Sequence, residues 1–497
     1  MNRLAGSPFL QLARDARSKK RLFVQCSGTS TAQSPAAGQS ERWLKGRRIL
    51  IITPVWPEKT TTAAALRTWS LIEMLSRVPE LTVTLASPAR DVRGAVDALR
   101  AANVNTEAVQ PNDPKFDSLV RDLQPDMTIF DRFTMEEMFG WRVAKEVPSC
   151  MRVLDTQDLH FLRNQRQTHV EKLLSSTATG RSDFFWKSTS VKKTAKMLDI
   201  REERLTRELA SILRSDLTLL VSPFERMLLK ERFGIAFDRL ALAPFFYSDK
   251  NILNDGNLSM RSSDFVSIGN FRHPPNADSV RWLKEEIWPA IQSELKNPKK
   301  HSLRVYGAFP PASMMNLTNA KENFFVEGPA KCQYSTLGSH RCLLAPLRFG
   351  AGIKGKIADS WSVGTPVVTT PIGAEGMLPE QWETTATTSR GEKVKFGGIV
   401  ANNLIDFAKS AARLVENESE WADASKYSTK CVSDMFGMKK GEELLLGTFD
   451  HVGCNLVERR KADWLQAMLL DDFHRSTEYK SRYIEKAALL REMSKGK

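Results

Sequence analysis

The chain has few of the features that mark several common classes of protein. Its 497 residues include no run of eighteen or more apolar residues, which is what a membrane-spanning helix needs. Its six cysteines are scattered without a CxxC pair or a zinc-ligand spacing, so reduced structural thiols are expected rather than disulfides or a metal site. No GxGxxG follows the first apolar segment, ILIITPVWPEK, which argues against a nicotinamide-dependent enzyme. What remains is a globular composition, 41% hydrophobic and 26% charged, that is long enough for two or three domains.

Positive charge is abundant, and part of it is concentrated at the amino terminus. The formal net charge is +14, and residues 1–40 carry six basic residues against one acid. This segment is rich in serine, alanine and glutamine and lacks the apolar core of a secretory leader, which is typical of organellar transit peptides. We therefore predict that residues 1–41 are a disordered leader that directs the protein to mitochondria or plastids. A cytoplasmic protein with a tail that targets nothing is the alternative.

Short apolar segments alternate with amphipathic ones along the rest of the chain. Such alternation predicts a parallel, doubly wound sheet, and hence an α/β fold. The predicted parts are a first domain over 42–250, a linker over 251–264, a second domain over 265–440 and a helical tail over 441–497. The predicted strands lie near Ile49–Ile52, Val83–Ala86, Met127–Phe130, Arg152–Leu154, Leu217–Val221, Leu303–Tyr306, Phe324–Val326, Leu343–Ala345 and Val367–Thr369.

The segment Leu343–Met377 has the pattern of a phosphate-binding loop that runs into a helix. Its sequence is LLAPLRFGAGIKGKIADSWSVGTPVVTTPIGAEGM. Glycines at Gly350 and Gly352 let backbone N–H groups approach an anion closely, and the helix expected from Ile353 adds the partial positive charge of its first turn. Lys354 and Lys356 fall in that turn. An ordinary strand-to-helix turn with a surface lysine pair is the alternative interpretation.

From Leu343 onward the segment resembles the donor-binding motif of family-4 glycosyltransferases. The resemblance implies two facing Rossmann-like domains, the GT-B architecture, and transfer of a sugar from a nucleotide-sugar with retention of configuration. It further implies that the loop and Lys356 hold the diphosphate and that Asp359 binds the ribose hydroxyls. The first of the family's two glutamates falls on Ala351, and the second is shortened to Asp359.

The resemblance extends from about Ile49 to Met377. SIGNFRHPPNADSVRWLKEEIWPAI, at Ser267–Ile291, is similar to the opening of the second domain in those enzymes, and ILIITPVWPEK, DRFTMEEMFGW and LDTQDLHFLRNQR resemble a subgroup within the family. In that architecture terminal helices cross back onto the first domain, which is what we expect of the tail. The resemblance makes Arg272 and Lys356 catalytic, through charge stabilisation on the departing diphosphate. The donor-binding residues it implies are Gly269, Asn270, Gly350, Ala351, Gly352, Ile353, Lys354 and Asp359.

Polar side chains that follow strands of the first domain are candidates for acceptor binding, because open α/β sheets bind ligands at the carboxyl ends of their strands. His160 is a candidate to orient or deprotonate an acceptor hydroxyl, since its unperturbed pKa lies near the working range. The alternative, equally open, is that His160 only starts a helix and is hydrogen-bonded to Asp155 or Asp158. Asp131 and Asp158 are also candidates to cap the helices that follow them. For Arg67 two interpretations stay open: it is packed at the domain interface, or it faces the donor phosphates. The acceptor-side candidates are Trp56, Thr61, Arg67, Asp131 and Asp158.

The leading prediction is a glycosyltransferase that acts on a nucleoside diphosphate sugar and a glycan, lipid or small-molecule acceptor. A nucleotide-sugar epimerase and a non-catalytic nucleotide-sugar binding protein on the same scaffold are the alternatives. No DxD-type acidic pair adjoins the loop, so neither a metal nor a cofactor beyond the nucleotide-sugar is expected. The basic cluster at Arg163–Arg207 has few aromatic stacking partners, so nucleic acid is not an expected partner.

Overall fold

Two parallel sheets organise the chain, and their central strands are the apolar segments that the sequence predicts. The computed structural model describes residues 42–58, 63–91, 94–175, 186–187, 190–248, 252, 261–382 and 395–495. The predicted leader, Thr61 and most of the predicted linker therefore lie outside the described residues. Residues 42–497 form one compact unit.

The first sheet has seven parallel strands in the order β3-β2-β1-β4-β5-β6-β7. The strand order reverses beside β1, which is the doubly wound pattern that creates a ligand-binding crevice at the carboxyl ends of β1 and β4. The strands are β1 (Arg48–Ile52), β2 (Thr82–Ser87), β3 (Asn105–Ala108), β4 (Met127–Asp131), β5 (Met151–Asp155), β6 (Leu217–Leu220) and β7 (Leu240–Leu242). The helices around it are α1 (Ala63–Leu75), α2 (Ala95–Ala101), α3 (Lys115–Leu123), α4 (Phe133–Met135), α5 (Trp141–Glu146), α6 (His160–Ser175), α7 (Val191–Met197), α8 (Glu203–Arg214) and α9 (Pro223–Phe233).

The second sheet has six parallel strands in the order β10-β9-β8-β11-β12-β13, with the same reversal between β8 and β11. Its first strand begins at Ser262, inside the predicted linker. The strands are β8 (Ser262–Ile268), β9 (Leu303–Tyr306), β10 (Phe324–Gly328), β11 (His340–Ala345), β12 (Val367–Thr369) and β13 (Gly398–Val400). The helices are α10 (Pro274–Trp282), α11 (Trp288–Glu294), α12 (Ala312–Met315), α13 (Gln333–Gly338), α14 (Gly355–Ser362), α15 (Pro371–Ala374), α16 (Leu404–Glu416) and α17 (Glu418–Phe436).

The last three helices return to the first sheet. They are α18 (Met438–Cys454), α19 (Leu456–Ala462) and α20 (Trp464–Lys495). Leu445 and Phe449 of α18 are buried in the same core as Ile49 and Ile51 of β1. The chain crosses back at Tyr247, whose backbone N–H donates to the carbonyl of Phe436 at 2.8 Å. The core of the first domain is thus built from two separate stretches of sequence.

Ion pairs with buried partners hold the long helix α20 against the first domain. The guanidinium of Arg142, which is 1% exposed, contacts Asp117 of α3 and Glu485 of α20. A buried carboxylate without its cation is costly, so each group depends on the others. Among the described residues no helix is both long enough and apolar enough to cross a membrane.

Candidate active site

The loops that follow the strands of the two sheets meet in one region, here called the cleft. The backbone N–H of Gly352, in the loop after β11, donates to Oε1 of Glu225, near the start of α9, at 2.8 Å. A Cβ on Gly352 would lie 3.0 Å from Cβ of Asp158, which follows β5. The carboxyl ends of both sheets therefore face each other across the predicted phosphate loop, where doubly wound sheets bind ligands.

The predicted phosphate loop is present, but its helix begins later than the sequence suggests. The helix α14 starts at Gly355 rather than Ile353, and Lys354 is the residue before it, with the non-helical angles φ −98° and ψ 96°. The ammonium of Lys354 turns back and donates to the carbonyl of Gly352 at 2.7 Å. Lys356 lies in the first turn and donates to Oδ1 of Asn276 at 2.8 Å. Burial lowers the pKa of both lysines to about 8, so both carry most of their charge at neutral pH.

Two contacts from the first domain hold this loop. The fully buried carboxylate of Glu225 accepts the N–H groups of Gly352 and of Leu159, the latter at 2.9 Å, and burial raises its pKa to about 7. The guanidinium of Arg166 binds both carboxylate oxygens of Glu375, at 2.7 and 2.9 Å, and donates to the carbonyl of Gly350 at 2.8 Å. The Gly352 amide that the sequence assigns to a phosphate thus donates to a carboxylate of the chain itself. An anionic ligand has to displace Glu225 to reach it.

Charged and imidazole side chains from both domains gather beside the loop. Nε2 of His160 lies 3.3 Å from Oδ1 of Asp158, whose other oxygen accepts from Arg163 at 2.5 Å. His273, which the sequence interpretation missed, interacts electrostatically with Asp158, Arg163 and Lys356. Burial lowers the pKa of His160 and of His273 to about 4, so both imidazoles are neutral at neutral pH.

Asp359 is buried and bonded to tyrosines. The hydroxyl of Tyr247 donates to its Oδ1 at 2.6 Å, and Tyr334 is a second partner. Burial raises the pKa of Asp359 to about 6, which leaves it mostly ionised at neutral pH. A ribose hydroxyl at this carboxylate would replace a tyrosine hydroxyl.

The loop after β8 places three predicted residues in different surroundings. A Cβ on Gly269 would lie 2.6 Å from Cγ of Asn276, whose amide donates to the carbonyl of Asn270 at 2.9 Å. Since Asn276 also accepts from Lys356, this missed residue connects Gly269, Asn270 and Lys356. The exposed guanidinium of Arg272 instead lies over the ring of Phe309, with its central carbon 3.7 Å from the ring centroid.

Two acceptor-side candidates have their polar groups in internal contacts. Arg67 is 2% exposed, pairs with Asp155 and donates to the carbonyl of Ala243 at 2.9 Å, so it is part of the packed interior. The indole N–H of Trp56 donates to the carbonyl of Ala89 at 2.7 Å.

Asp131 differs from these two residues. Asp131 does not cap α4. The N-cap position of that helix is occupied by Arg132, at φ +74°, and no side-chain hydrogen bond caps the helix. Burial raises the pKa of Asp131, and among the described residues its Oδ1 has no hydrogen-bond partner. The buried hydroxyl of Thr53, which follows the neighbouring strand β1, likewise has no hydrogen-bond partner among the described residues. Both atoms remain available to a ligand hydroxyl.

Only some of the missed residues have a usable signal in the sequence. His273 and Asn276 lie in the segment FRHPPNAD, directly after a strand, where polar residues are candidates by position. Glu225 and Arg166 lie in helices of the first domain, and only the packing of the two domains brings them to the loop. Among the described residues no group of three or more histidine, cysteine, aspartate or glutamate side chains is placed to hold a metal ion.

Residues 262–417, which contain the loop, both lysines and Asp359, match the family model described as glycosyl transferases group 1. The second domain is thus similar in sequence to the group 1 glycosyltransferases. This match confirms the expected enzyme class, glycosyltransferase. No curated protein sequence matches the chain.

Solved structures of similar fold cover about four fifths of the chain. Sucrose-phosphate synthase from Thermosynechococcus elongatus has a TM-score of 0.57 and 13% identity, with 82% of this chain and 99% of that chain covered. HepE from Anabaena, in complex with UDP-glucose, has a TM-score of 0.54 and 10% identity over 82% and 100% of the chains. A glycosyltransferase from Rickettsia africae ESF-5 has a TM-score of 0.52 and 11% identity over 82% and 98%. The predicted α/β fold, with two Rossmann-like domains in the GT-B architecture and a helical carboxyl-terminal region, is confirmed.

Proposed function

We propose that the chain transfers a glycosyl group from a nucleoside diphosphate sugar to an acceptor, with retention of configuration as in family 4. The observation that carries the proposal is the pair Lys354 and Lys356 at the start of α14, beside a glycine loop and inside the cleft. Two ammonium groups at a helix amino terminus match the charge of a diphosphate without a metal ion. HepE was solved with UDP-glucose, which makes that compound the first donor to test.

On the donor side, charge stabilisation does most of the chemistry. Lys356 and Arg272 stabilise negative charge on the departing diphosphate, and the loop N–H groups assist once Glu225 leaves Gly352. Arg272 has to leave the ring of Phe309 to do so. Asp359 binds the ribose hydroxyls, and the remaining donor contacts come from Gly269, Asn270, Gly350, Ala351, Ile353 and Lys354.

On the acceptor side, His160 is the group suited to proton transfer. It is neutral at neutral pH, and its contact with Asp158 fixes the imidazole and stabilises the imidazolium that forms when it takes a proton. Asp131 and Thr53 lie at the ends of two adjacent strands, and each supplies an acceptor hydroxyl with an oxygen atom that has no hydrogen-bond partner among the described residues. These groups suit an acceptor with several hydroxyls.

One observation favours a second candidate, a protein that binds a nucleotide-sugar without turning it over. Ala351 stands where family 4 has the carboxylate that binds the sugar hydroxyls, and the Gly352 N–H donates to Glu225. An epimerase on the same scaffold differs from both candidates because it needs no acceptor.

The deciding experiment measures nucleotide release and sugar conversion separately. A thermal-shift panel of UDP-, GDP- and ADP-sugars identifies the donor, because a ligand of the folded state raises the midpoint. The selected donor is then incubated with and without a mixture of glycan, lipid and small-molecule acceptors. Release of nucleoside diphosphate only with acceptor, and a product of unchanged anomeric configuration by NMR, is the expected result. Tight binding without release would favour the binding protein, and a changed sugar without acceptor would favour the epimerase.

A further inference from the structure

A second cavity lies at the edge of the first sheet opposite the cleft. It is open to solvent, its volume is about 530 Å³, and it is lined by residues of α5, the start of β5, α19 and α20. Arg152, which lines it, is at the amino end of β5, whereas Asp155 at the carboxyl end of that strand faces the active-site side. Three residues of extended strand, about 10 Å, separate the two positions. A ligand here is distinct from the donor and the acceptor.

The guanidinium of Arg152 is the unusual feature of this cavity. Arg152 is 4% exposed, and among the described residues its Nε has no hydrogen-bond partner. Its contact with Oδ1 of Asp216 is 3.7 Å, beyond hydrogen-bond distance. The carboxylate of Asp216 is already bonded to Arg460, at 2.8 and 2.7 Å, and to Gln466, at 3.0 Å. A buried cation that lacks hydrogen bonds is costly, and an anion in the cavity would supply them.

The charges around Arg152 add to a positive surplus. Four cationic side chains line the cavity, and only two carboxylates do, each of which has its own partner. Asp471 binds Arg475 at 2.7 Å, and Glu478 pairs with Lys145. Arg460 pairs with Asp216 behind the wall of the cavity. Of the four cationic side chains, Arg152 is therefore the one whose charge is least balanced by a carboxylate.

We propose that this cavity binds a small organic phosphate, with Arg152 as the group that contacts the phosphate. Arginine offers several N–H donors in a planar fork that matches phosphate oxygens. The volume falls in the range of about 300–1,000 Å³ that is usual for small-molecule sites, so it holds more than the phosphate group. Because one wall is β5 and the other is α20, the bound phosphate ties the carboxyl-terminal helix to the first domain.

The test uses the full chain that carries Lys356→Ala, so that the donor loop contributes little to phosphate binding. Titration calorimetry at constant ionic strength compares glucose 6-phosphate with inorganic phosphate. Saturable binding that Arg152→Gln weakens at least tenfold is the expected result, whereas Arg413→Gln, at an exposed position of the second domain, should leave it unchanged. Tighter binding of glucose 6-phosphate would identify the organic part as recognised, and equal affinities would place recognition in the phosphate alone.

Two results would overturn the proposal. One is the absence of saturable binding by both probes, and the other is equal affinity in the parent and in Arg152→Gln. If Arg152→Gln does not fold, Arg475→Gln at the exposed rim replaces it, with an expected loss of about threefold, and unchanged affinity there would reject the site. Hydrogen exchange gives an independent readout, since ligand should slow exchange in 464–495 without slowing it in 404–416.

Discussion

At the scale of single residues, Lys356 is the sharpest test of the donor site. Its ammonium is half-buried and donates to Asn276, and a bound diphosphate would replace that amide with a charged acceptor. Lys356→Ala should weaken binding of the nucleoside diphosphate by about 1.5–3 kcal/mol, which is roughly 10- to 150-fold, the range for a hydrogen bond to a charged group. Titration calorimetry measures this, with the exposed Lys296→Ala as the control. Unchanged affinity in Lys356→Ala would remove that lysine from the site.

Glu225 predicts a dependence of stability on pH. Its pKa of about 7 in the folded protein lies above the ordinary value of 4.5, so the folded state favours the protonated form. The stability that this group contributes is therefore present below pH 4.5 and is lost as the pH rises through 7. At about 1.4 kcal/mol per pKa unit, the loss is roughly 3 kcal/mol.

Glu225→Gln keeps an oxygen that accepts from Gly352 and Leu159 but has no charge to bury. We expect the variant to match the parent near pH 4.5 and to be more stable by roughly 3 kcal/mol above pH 7. Urea unfolding at several pH values checks this, with the exposed Glu294→Gln as a control that should change little. A variant less stable than the parent at high pH would show that the loop needs the carboxylate charge.

At the scale of elements, the turn into α14 depends on a glycine. Gly352 has φ +62°, and a Cβ there would also lie 3.0 Å from Cβ of Asp158. Gly352→Ala should therefore destabilise the protein by about 1–3 kcal/mol. Gly447, inside the helix α18, has open space around a built Cβ, so Gly447→Ala should stabilise by roughly 0.5–1 kcal/mol. Equal effects in thermal unfolding would contradict the role of the positive φ at the loop.

The same scale shows what the sequence can and cannot predict. Buried central strands such as β1, RILII, and β4, MTIFD, are continuous apolar runs, and the sequence predicts them within a residue or two. It misses β3, β7 and β13, which are edge strands of three or four residues, because partial exposure leaves no clear apolar pattern. The contact between Glu225 and Gly352 is beyond sequence reasoning, since it joins residues 127 positions apart through the packing of two domains.

At the scale of the whole molecule, Arg166 and Glu375 join the two domains through a buried ion pair. Removing one partner of a buried pair costs about 3–5 kcal/mol, and here the cost falls on the domain interface. In calorimetry the parent should melt in one transition and Arg166→Gln in two, the lower of which belongs to the less stable domain.

Arg348→Gln is the matched control for this prediction. Arg348 pairs with Asp278 at 2.6 Å within the second domain, so its loss should lower the midpoint without splitting the transition. A single unshifted transition in Arg166→Gln would show that other contacts couple the domains.

Because the chain returns to the first domain at Tyr247 and Phe436, the second domain is continuous in sequence and the first is not. The second domain is one continuous stretch of sequence between these two residues. It can therefore be exchanged by replacing a single internal segment. The first domain is discontinuous, because Leu445 and Phe449 complete its core from beyond the other domain. A gene fragment that stops before α18 would leave that core open, whereas a chimaera that swaps only the middle segment keeps it closed. Under the proposed function, engineering of donor preference therefore has natural junctions, and engineering of acceptor preference by domain exchange has to bring along the carboxyl-terminal helices.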